Sequence, residues 1–410
     1  MTTTRPTILQ LIPHLDTGGA EITTLELAAA IVKAGGRALV LSEGGRLAGR
    51  IREAGGEVLP FPAATKNPAR IVANGFRLAR IIGRERVSLI HARSRAPAWS
   101  ALIAARRTGI PLVTTYHGAY SETGKFKKLY NSVMARGDRV IANSNYTAEL
   151  VKRRYGTPPG IIRVIHRGVD GAIFDPAAIA PQRIADLRAA WGISDDSRII
   201  LNAARLTRWK GQRVIIEAAH LLTSEAPELA RKTVIILAGD AQGRSDYVAG
   251  LELRITELGL AGQVRLVGHV DDIPAAFALA WLGVVASTEP EAFGRAATES
   301  QVMGCPVIAT AIGAPPETVL TAENAGLSSR TGWLVPPSDA AALARSLAEG
   351  LALTATERAE IGARARRHVL DRFSLTAMRA NTLAVYDELL GSDLSHRFAA
   401  AHMPQSASNG

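Results

Sequence analysis

The sequence predicts an α/β fold of two Rossmann-like parallel-sheet domains, and three observations predict it. The chain has 410 residues, too many for one ordinary core and suited to two of roughly 180 to 200 residues each. Short apolar runs without helical period alternate with amphipathic stretches, the order of βαβ units. Glycine and proline punctuate those runs where strands turn into helices.

The elements follow in order. Thr7–Ile12 is a first strand ending at Pro13, and the turn from His14 to Glu21 leads into an amphipathic helix reaching Lys33. Gly18 and Gly19 in that turn let backbone approach a ligand, a phosphate above all, although strand-to-helix turns need glycine in many folds. The spacing lacks the G-x-G-x-x-G pattern of dinucleotide-binding dehydrogenases. Arg37–Leu41, Glu57–Pro60, Val87–His91 and Leu112–Tyr116 are further strands, with a helix at Leu47–Ala54 and others between. In such sheets ligands bind at the carboxyl ends of the strands. His117 stands at one such end beside Gly118, where its imidazole can reach a hydroxyl.

Val140–Ser144 and Ile161–Ile165 complete the first sheet around a helix at Asn145–Arg154, and residues 177–192 form a link. The second domain opens with the strand Arg198–Ala203, followed at once by Arg205 and Lys210, two cations flanking a strand-to-helix loop. Thr233–Gly239, Leu266–Val270 and Gly332–Pro336 are later strands, and Phe373–Leu390 is a terminal helix. The expected division is 1–180, 181–372, a helix at 373–391 crossing back to the first domain, and a small polar tail at 392–410 expected to be disordered.

The most informative stretch runs from Ala286 to Gly313. Trp281–Ala286 is a buried strand, Ser287 to Pro290 a loop, Phe293-Gly294 the opening of a helix that stops at Gly304, and Val307–Thr310 the next strand. Eight steps of about 100° would leave Glu291 and Glu299 roughly 80° out of line on one helix, so they converge only if Glu291 lies in the loop. The amides of Phe293, Gly294, Arg295 and Ala296 then face the space the carboxylates border, which suits phosphate. The carboxylates would accept from hydroxyls on either side. Hydroxyl, diphosphate, hydroxyl is the outline of a nucleotide sugar; two ordinary surface glutamates are the competing interpretation.

Glu291-x-Phe293-Gly294, Glu299 and Gly304-x-Pro306 to Thr310 together resemble the donor-site signature of the retaining glycosyltransferases of family four. The resemblance implies the GT-B fold, two Rossmann-like domains facing across a cleft. It implies that Glu291 contacts the sugar and Glu299 the ribose, and that Arg205-x4-Lys210-Gly211 is the diphosphate clamp. His117 would lie next to the donor sugar, Gly18 and Gly19 near the donor phosphate and acceptor, and Gly239 and Val270 in the donor subsite. Val270 lies where relatives read the base through backbone. Arg295 and the pair Ser300-Gln301 depart from the usual pattern, which places an extra cation beside the phosphates. The expected reaction transfers a sugar with retention by front-face attack, the leaving phosphate accepting the proton. No Asp-x-Asp metal clamp occurs in the sequence, and no cofactor is implied.

Charge bears on the acceptor. The formal net charge is +11, and residues 1–180 hold 26 Lys and Arg against 12 Asp and Glu, so the basic character belongs to the first domain. Arg93 and Arg95, near a strand end, suit acceptor phosphates or carboxylates. Lys125, Lys127 and Lys128 beside Phe126 and Leu129, and the arginines of Pro68–Arg86 among Ile71, Val72, Phe76, Leu78, Ile81 and Ile82, suit an anionic membrane surface or a solvated helix face. The expected partners are a nucleotide sugar, a glycan or lipid-linked acceptor in lipopolysaccharide core or other envelope glycan synthesis, and an anionic membrane surface. No nucleic-acid-binding signature accompanies the charge. Cys305 is the single cysteine, which excludes an internal disulfide, and cytoplasmic residence, peripheral on the inner membrane, is the expectation. The rival functions are a nucleotide-sugar epimerase or hydrolase of the same fold and a non-catalytic nucleotide-sugar-binding protein.

Overall fold

A computed structural model describes residues 5–16, 19–118, 120 and 124–402. Gly18 lies outside the described residues, and Gly19 begins the helix Gly19–Lys33. The chain divides into two units, 1–166 with 376–410, and Arg167–Leu375.

In the first unit β1 (Thr7–Leu11), β2 (Arg37–Ser42), β3 (Glu57–Pro60), β4 (Leu89–Ala92), β5 (Leu112–Tyr116), β6 (Arg139–Ala142) and β7 (Ile162–Val164) form one sheet in the order β3-β2-β1-β4-β5-β6-β7. Every pairing is parallel. β1, β4 and β5 are buried at every position, which is why they read as continuous apolar runs. The order reverses between β1 and β4, the switch point where ligands gather in such sheets.

The second unit repeats the plan. β8 (Arg198–Ala203), β9 (Thr233–Ala238), β10 (Val264–Gly268), β11 (Leu282–Val285), β12 (Val307–Thr310) and β13 (Gly332–Val335) form a parallel sheet ordered β10-β9-β8-β11-β12-β13. Its switch point lies between β8 and β11. The loops after these two strands carry the Arg205–Lys210 and Glu291–Glu299 motifs.

Three expectations need correction. The division falls at 166/167 rather than 180, because Val169 joins the second unit's core with Trp191 and Phe373. The link at 177–192 contains a helix, Pro181–Ala190, and Arg183 is bonded to both oxygens of Asp272 at 2.7 and 2.6 Å. The tail is ordered through 402: Leu394–Ala400 is a helix with Leu394 and Phe398 fully buried. Asp387 fixes its start by accepting from the amides of Leu394 and Ser395, both at 2.8 Å. Residues 403–410 lie outside the described residues.

The terminal helix Leu375–Leu390 returns to the first unit from Thr376 onward. Glu388 accepts from Arg139 on β6 and Arg163 on β7, and those two bonds hold its carboxyl down to about 2. The segments by which the chain enters and leaves the second unit run side by side. Val169 donates to Phe373 at 2.8 Å and accepts from Leu375 at 2.9 Å, and a Cβ on Gly168 would come within 2.3 Å of the Leu375 Cα.

Candidate active site

The loop after β8 is shaped by two close approaches that only glycine permits. A Cβ on Gly239 would meet the Ala204 carbonyl at 1.9 Å, and one on Gly211 would meet the Ala286 carbonyl at 1.8 Å. Gly211 also has φ 73°, the left-handed region. These contacts press the Arg205–Lys210 loop against the end of β11. Gln212 fastens it from within, donating to the Arg205 carbonyl at 3.0 Å while accepting from the Tyr247 hydroxyl at 3.0 Å.

The loop after β11 meets it there. Thr288 donates its amide to the Trp209 carbonyl at 2.8 Å, and Thr310 at the end of β12 holds the Ser287 carbonyl at 2.8 Å. Glu291 is 8 % exposed and lies in the loop, as the spacing argument requires. Its backbone pairs with Gly313, where a Cβ would come within 2.3 Å of the Glu291 carbonyl.

Lys210 and Glu291 are thereby brought together. The Lys210 ammonium donates to Oε1 of Glu291, and the Ser287 hydroxyl donates to the same oxygen at 2.6 Å. Lys210 also lies 4.3 Å from the centre of the Trp209 ring, a cation–π contact that fixes its direction. Arg205 is exposed on the same loop, with no carboxylate within 4 Å among the described residues.

The helix Arg295–Val302 starts after Gly294, whose φ of 81° turns the chain and where a Cβ would lie 3.4 Å from Cγ of Pro315. Arg295 on the first turn pairs with Glu299 at 2.7 Å, and Glu299 is the more buried of the two. Phe293, placed by the sequence in the donor subsite, has its ring in the core against Phe373, centres 5.8 Å apart. Val270 follows β10 and lines a cavity of about 640 Å³ with His269, Asp271 and Asp272.

In the first unit His117 follows β5, and its carbonyl accepts from Asn143 at 3.4 Å. Arg93 is not available at the surface, contrary to expectation. It is 2 % exposed and donates to Gln10 at 3.3 Å, and burial lowers its guanidinium to about 10. Next to it His91 is bonded to the Tyr386 hydroxyl and to Thr115, both at 2.6 Å. Burial, with Arg93 beside it, pushes His91 well below its ordinary value, and burial raises the Tyr386 phenol. This is a core network that docks the terminal helix.

Arg95 does reach the surface layer, stacked 4.1 Å from the Tyr120 ring and donating to Asn131 at 2.8 Å. Lys125, Lys127 and Lys128 are exposed on the helix Lys125–Asn131. The helix Pro68–Glu85 keeps Val72 and Phe76 exposed but buries Ile71, Leu78, Ile81 and Ile82, so four of the six apolar residues of its expected membrane-facing stripe are core. Ser287 and Trp209 are the site residues that the sequence reading passed over. Ser287 sits four residues before Glu291, the only visible hint of its role.

A two-sheet chain with a cation–carboxylate pair across its second switch point invites comparison with known proteins. Residues 17–172 match the model of glycosyltransferase family 4 and residues 183–368 that of the glycosyl transferases group 1. D-inositol 3-phosphate glycosyltransferase of Salinispora arenicola is 31 % identical over 335 residues, covering 78 % of this chain and 70 % of that protein. Among solved structures, a glycosyltransferase from Rickettsia africae is 33 % identical with a TM-score of 0.85, covering 94 % of this chain and 99 % of that one. Anabaena HepE in complex with UDP-glucose is 25 % identical with a TM-score of 0.77, covering 93 % and 100 %. Two parallel sheets, the motifs on both sides of the switch point of the second, and these likenesses agree that the chain belongs to glycosyltransferase family 4 and has the GT-B fold.

Proposed function

We propose that this glycosyltransferase moves a sugar from a nucleoside diphosphate sugar to an acceptor hydroxyl with retention of anomeric configuration and without a metal. The observation that carries the reading is Lys210 held against Glu291 and Ser287 where the loops after β8 and β11 meet. Breaking the bond to the sugar moves negative charge onto the departing diphosphate, and fixed cations in a shielded place stabilise that charge most. Lys210 supplies such a cation and Arg205, exposed on the same loop, a second positive charge, with the opening turn of the helix Arg295–Val302. Glu291 and Glu299 take the sugar and ribose hydroxyls. The proton of the attacking hydroxyl passes to the leaving phosphate, so no carboxylate nucleophile is required, and His117 orients the sugar.

The acceptor, on this reading, is part of an envelope glycan or its lipid-linked precursor, lipopolysaccharide core among them. It is met at the cytoplasmic face of a membrane through the basic first unit. No described helix is long and apolar enough to cross a bilayer. A phosphorylated polyol is the second reading for the acceptor, favoured by the name of the Salinispora relative.

The test is direct. UDP-, GDP- and ADP-sugars are screened for thermal stabilisation, where a ligand at a hundred times its dissociation constant adds about 2.7 kcal/mol. The stabilising donor is then incubated with acceptors of both kinds, with and without a chelator. A product with the anomeric configuration of the donor, formed equally in chelator, supports the reading. An inverted product, or donor consumption that ignores acceptor, replaces it with another mechanism or with an epimerase or hydrolase.

A further inference from the structure

The Arg205–Lys210 loop rests on a buried amide. Gln212 opens the helix Gln212–Glu225 directly after Gly211, and its side chain is wholly shielded from solvent. Its Nε2 donates to the Arg205 carbonyl at 3.0 Å and to Oδ1 of Asn202 at 3.4 Å, and its Oε1 accepts from the Tyr247 hydroxyl at 3.0 Å. The Arg205 carbonyl can only accept, which sets the way the amide is turned and leaves its oxygen for Tyr247. Burial raises the Tyr247 phenol, so that hydroxyl keeps the proton it donates. Asn202 in turn donates to the Val284 carbonyl on β11 at 2.9 Å. One buried side chain thus ties together the end of β8, the loop after it and, through Asn202, the strand that leads to Glu291.

Arg205 needs such a tie. It is exposed, and its guanidinium has no bonded partner among the described residues. Gln212 is the one donor to its carbonyl among them. A guanidinium fork on a flexible stem grips a phosphate through two parallel bonds only if the base of the stem is fixed. We infer that Gln212 is a positioning residue for the diphosphate clamp: it fixes the backbone of Arg205 so that the guanidinium meets the leaving diphosphate, and Tyr247 fixes Gln212. The inference rests on the glycosyl-transfer reading given above and adds to it two residues that act without touching the donor. Its scale is that of misplacement, where a shift of about 1 Å in a group serving the reacting centre costs about a hundredfold in rate.

The experiment compares the full-length wild type with Gln212→Met, which is close in volume but lacks the hydrogen bonds, with Tyr247→Phe, with Arg205→Ala, and with Gln212→Met combined with Arg205→Ala. Turnover is measured with the nucleotide sugar that the thermal screen selects and is expressed per folded molecule, the folded fraction being read by circular dichroism. Affinity for inorganic pyrophosphate, which carries the charge the leaving group acquires, is measured by calorimetry. Expected in Gln212→Met is a fall in kcat of about ten- to a hundredfold, with pyrophosphate affinity falling alongside and the donor KM little changed. Adding Gln212→Met to Arg205→Ala should cost nothing further, because the glutamine acts through the arginine. Tyr247→Phe is the mildest change and should show the same kcat-weighted loss to a smaller degree. A glutamine that only packs predicts unchanged kcat per folded molecule, or losses that multiply in the double variant, and either result overturns the inference. If Gln212→Met does not fold, unchanged kcat in Tyr247→Phe overturns it instead. Wild type that binds neither pyrophosphate nor any nucleotide sugar overturns the glycosyl-transfer reading itself, and the clamp with it.

Discussion

Lys210 and Glu291, 81 residues apart in sequence, share one ion pair, and Ser287 donates to the same carboxylate oxygen. Charge, counter-charge and hydroxyl are thus fixed at one point by backbone contacts that glycine alone allows. The Lys210→Ala variant is expected to lose about 10²- to 10³-fold in turnover, the usual cost of removing one donor to developing charge. Its unfolding temperature should also fall, since Glu291 is left buried without its counter-charge. Wild-type turnover in that variant would remove Lys210 from the chemistry.

Gly211→Ala tests the shape of the loop rather than its charge. The added methyl would lie 1.8 Å from the Ala286 carbonyl at a left-handed φ, so the loop must shift. A destabilisation of about 1–3 kcal/mol is expected, together with weaker donor binding. Unchanged melting by calorimetry would show that the two loops are not in register as described.

The buried His91 makes stability depend on pH. Its proton affinity in the folded chain is well below 6.5, whereas the unfolded chain takes the proton up near 6.5. Below that pH the unfolded state binds more protons, so this contribution is complete above 6.5 and is lost as pH falls, by up to about 1.4 kcal/mol per pH unit. Glu388 adds a second loss further down, present above 4.5 and fading as pH falls toward about 2. Melting curves of wild type and His91→Gln between neutral pH and about pH 5 should differ in slope, and parallel curves would contradict the network.

Phe398→Ala probes the end of the chain. Phe398 is 1 % exposed and shares its short helix with the fully buried Leu394, so truncation should cost about 3–5 kcal/mol. A tail without structure predicts no change in the melting temperature.

Much of this architecture is legible in sequence because the strands of a doubly covered parallel sheet are short, apolar and bounded by turns. β3, β5, β8 and β12 have the ends that the sequence suggests. The Lys210 and Glu291 motifs stand out in the sequence chiefly through their resemblance to the donor-site signature, since loop cations and surface glutamates are common, and the structure brings the two side chains together. Arg93 misleads because its cover, the helix carrying Tyr386, comes from the far end of the chain, and no local pattern announces a partner so distant. The helix Pro181–Ala190 hides among alanines of low contrast, with no fully buried residue to mark a face. Leu394 and Phe398 did offer an apolar pair one helical turn apart, which the polar residues around them masked.

The division of the chain has a consequence for its birth on the ribosome. The second unit is one continuous segment, Arg167–Leu375, while the first needs 376–410 to be finished. Domains usually mature in the order in which they are translated. Here the later-made unit can settle first, and His91 waits for Tyr386, 295 residues further along the chain. A chain released before Tyr386 is made would therefore leave its amino-terminal half, though wholly synthesised, unsealed.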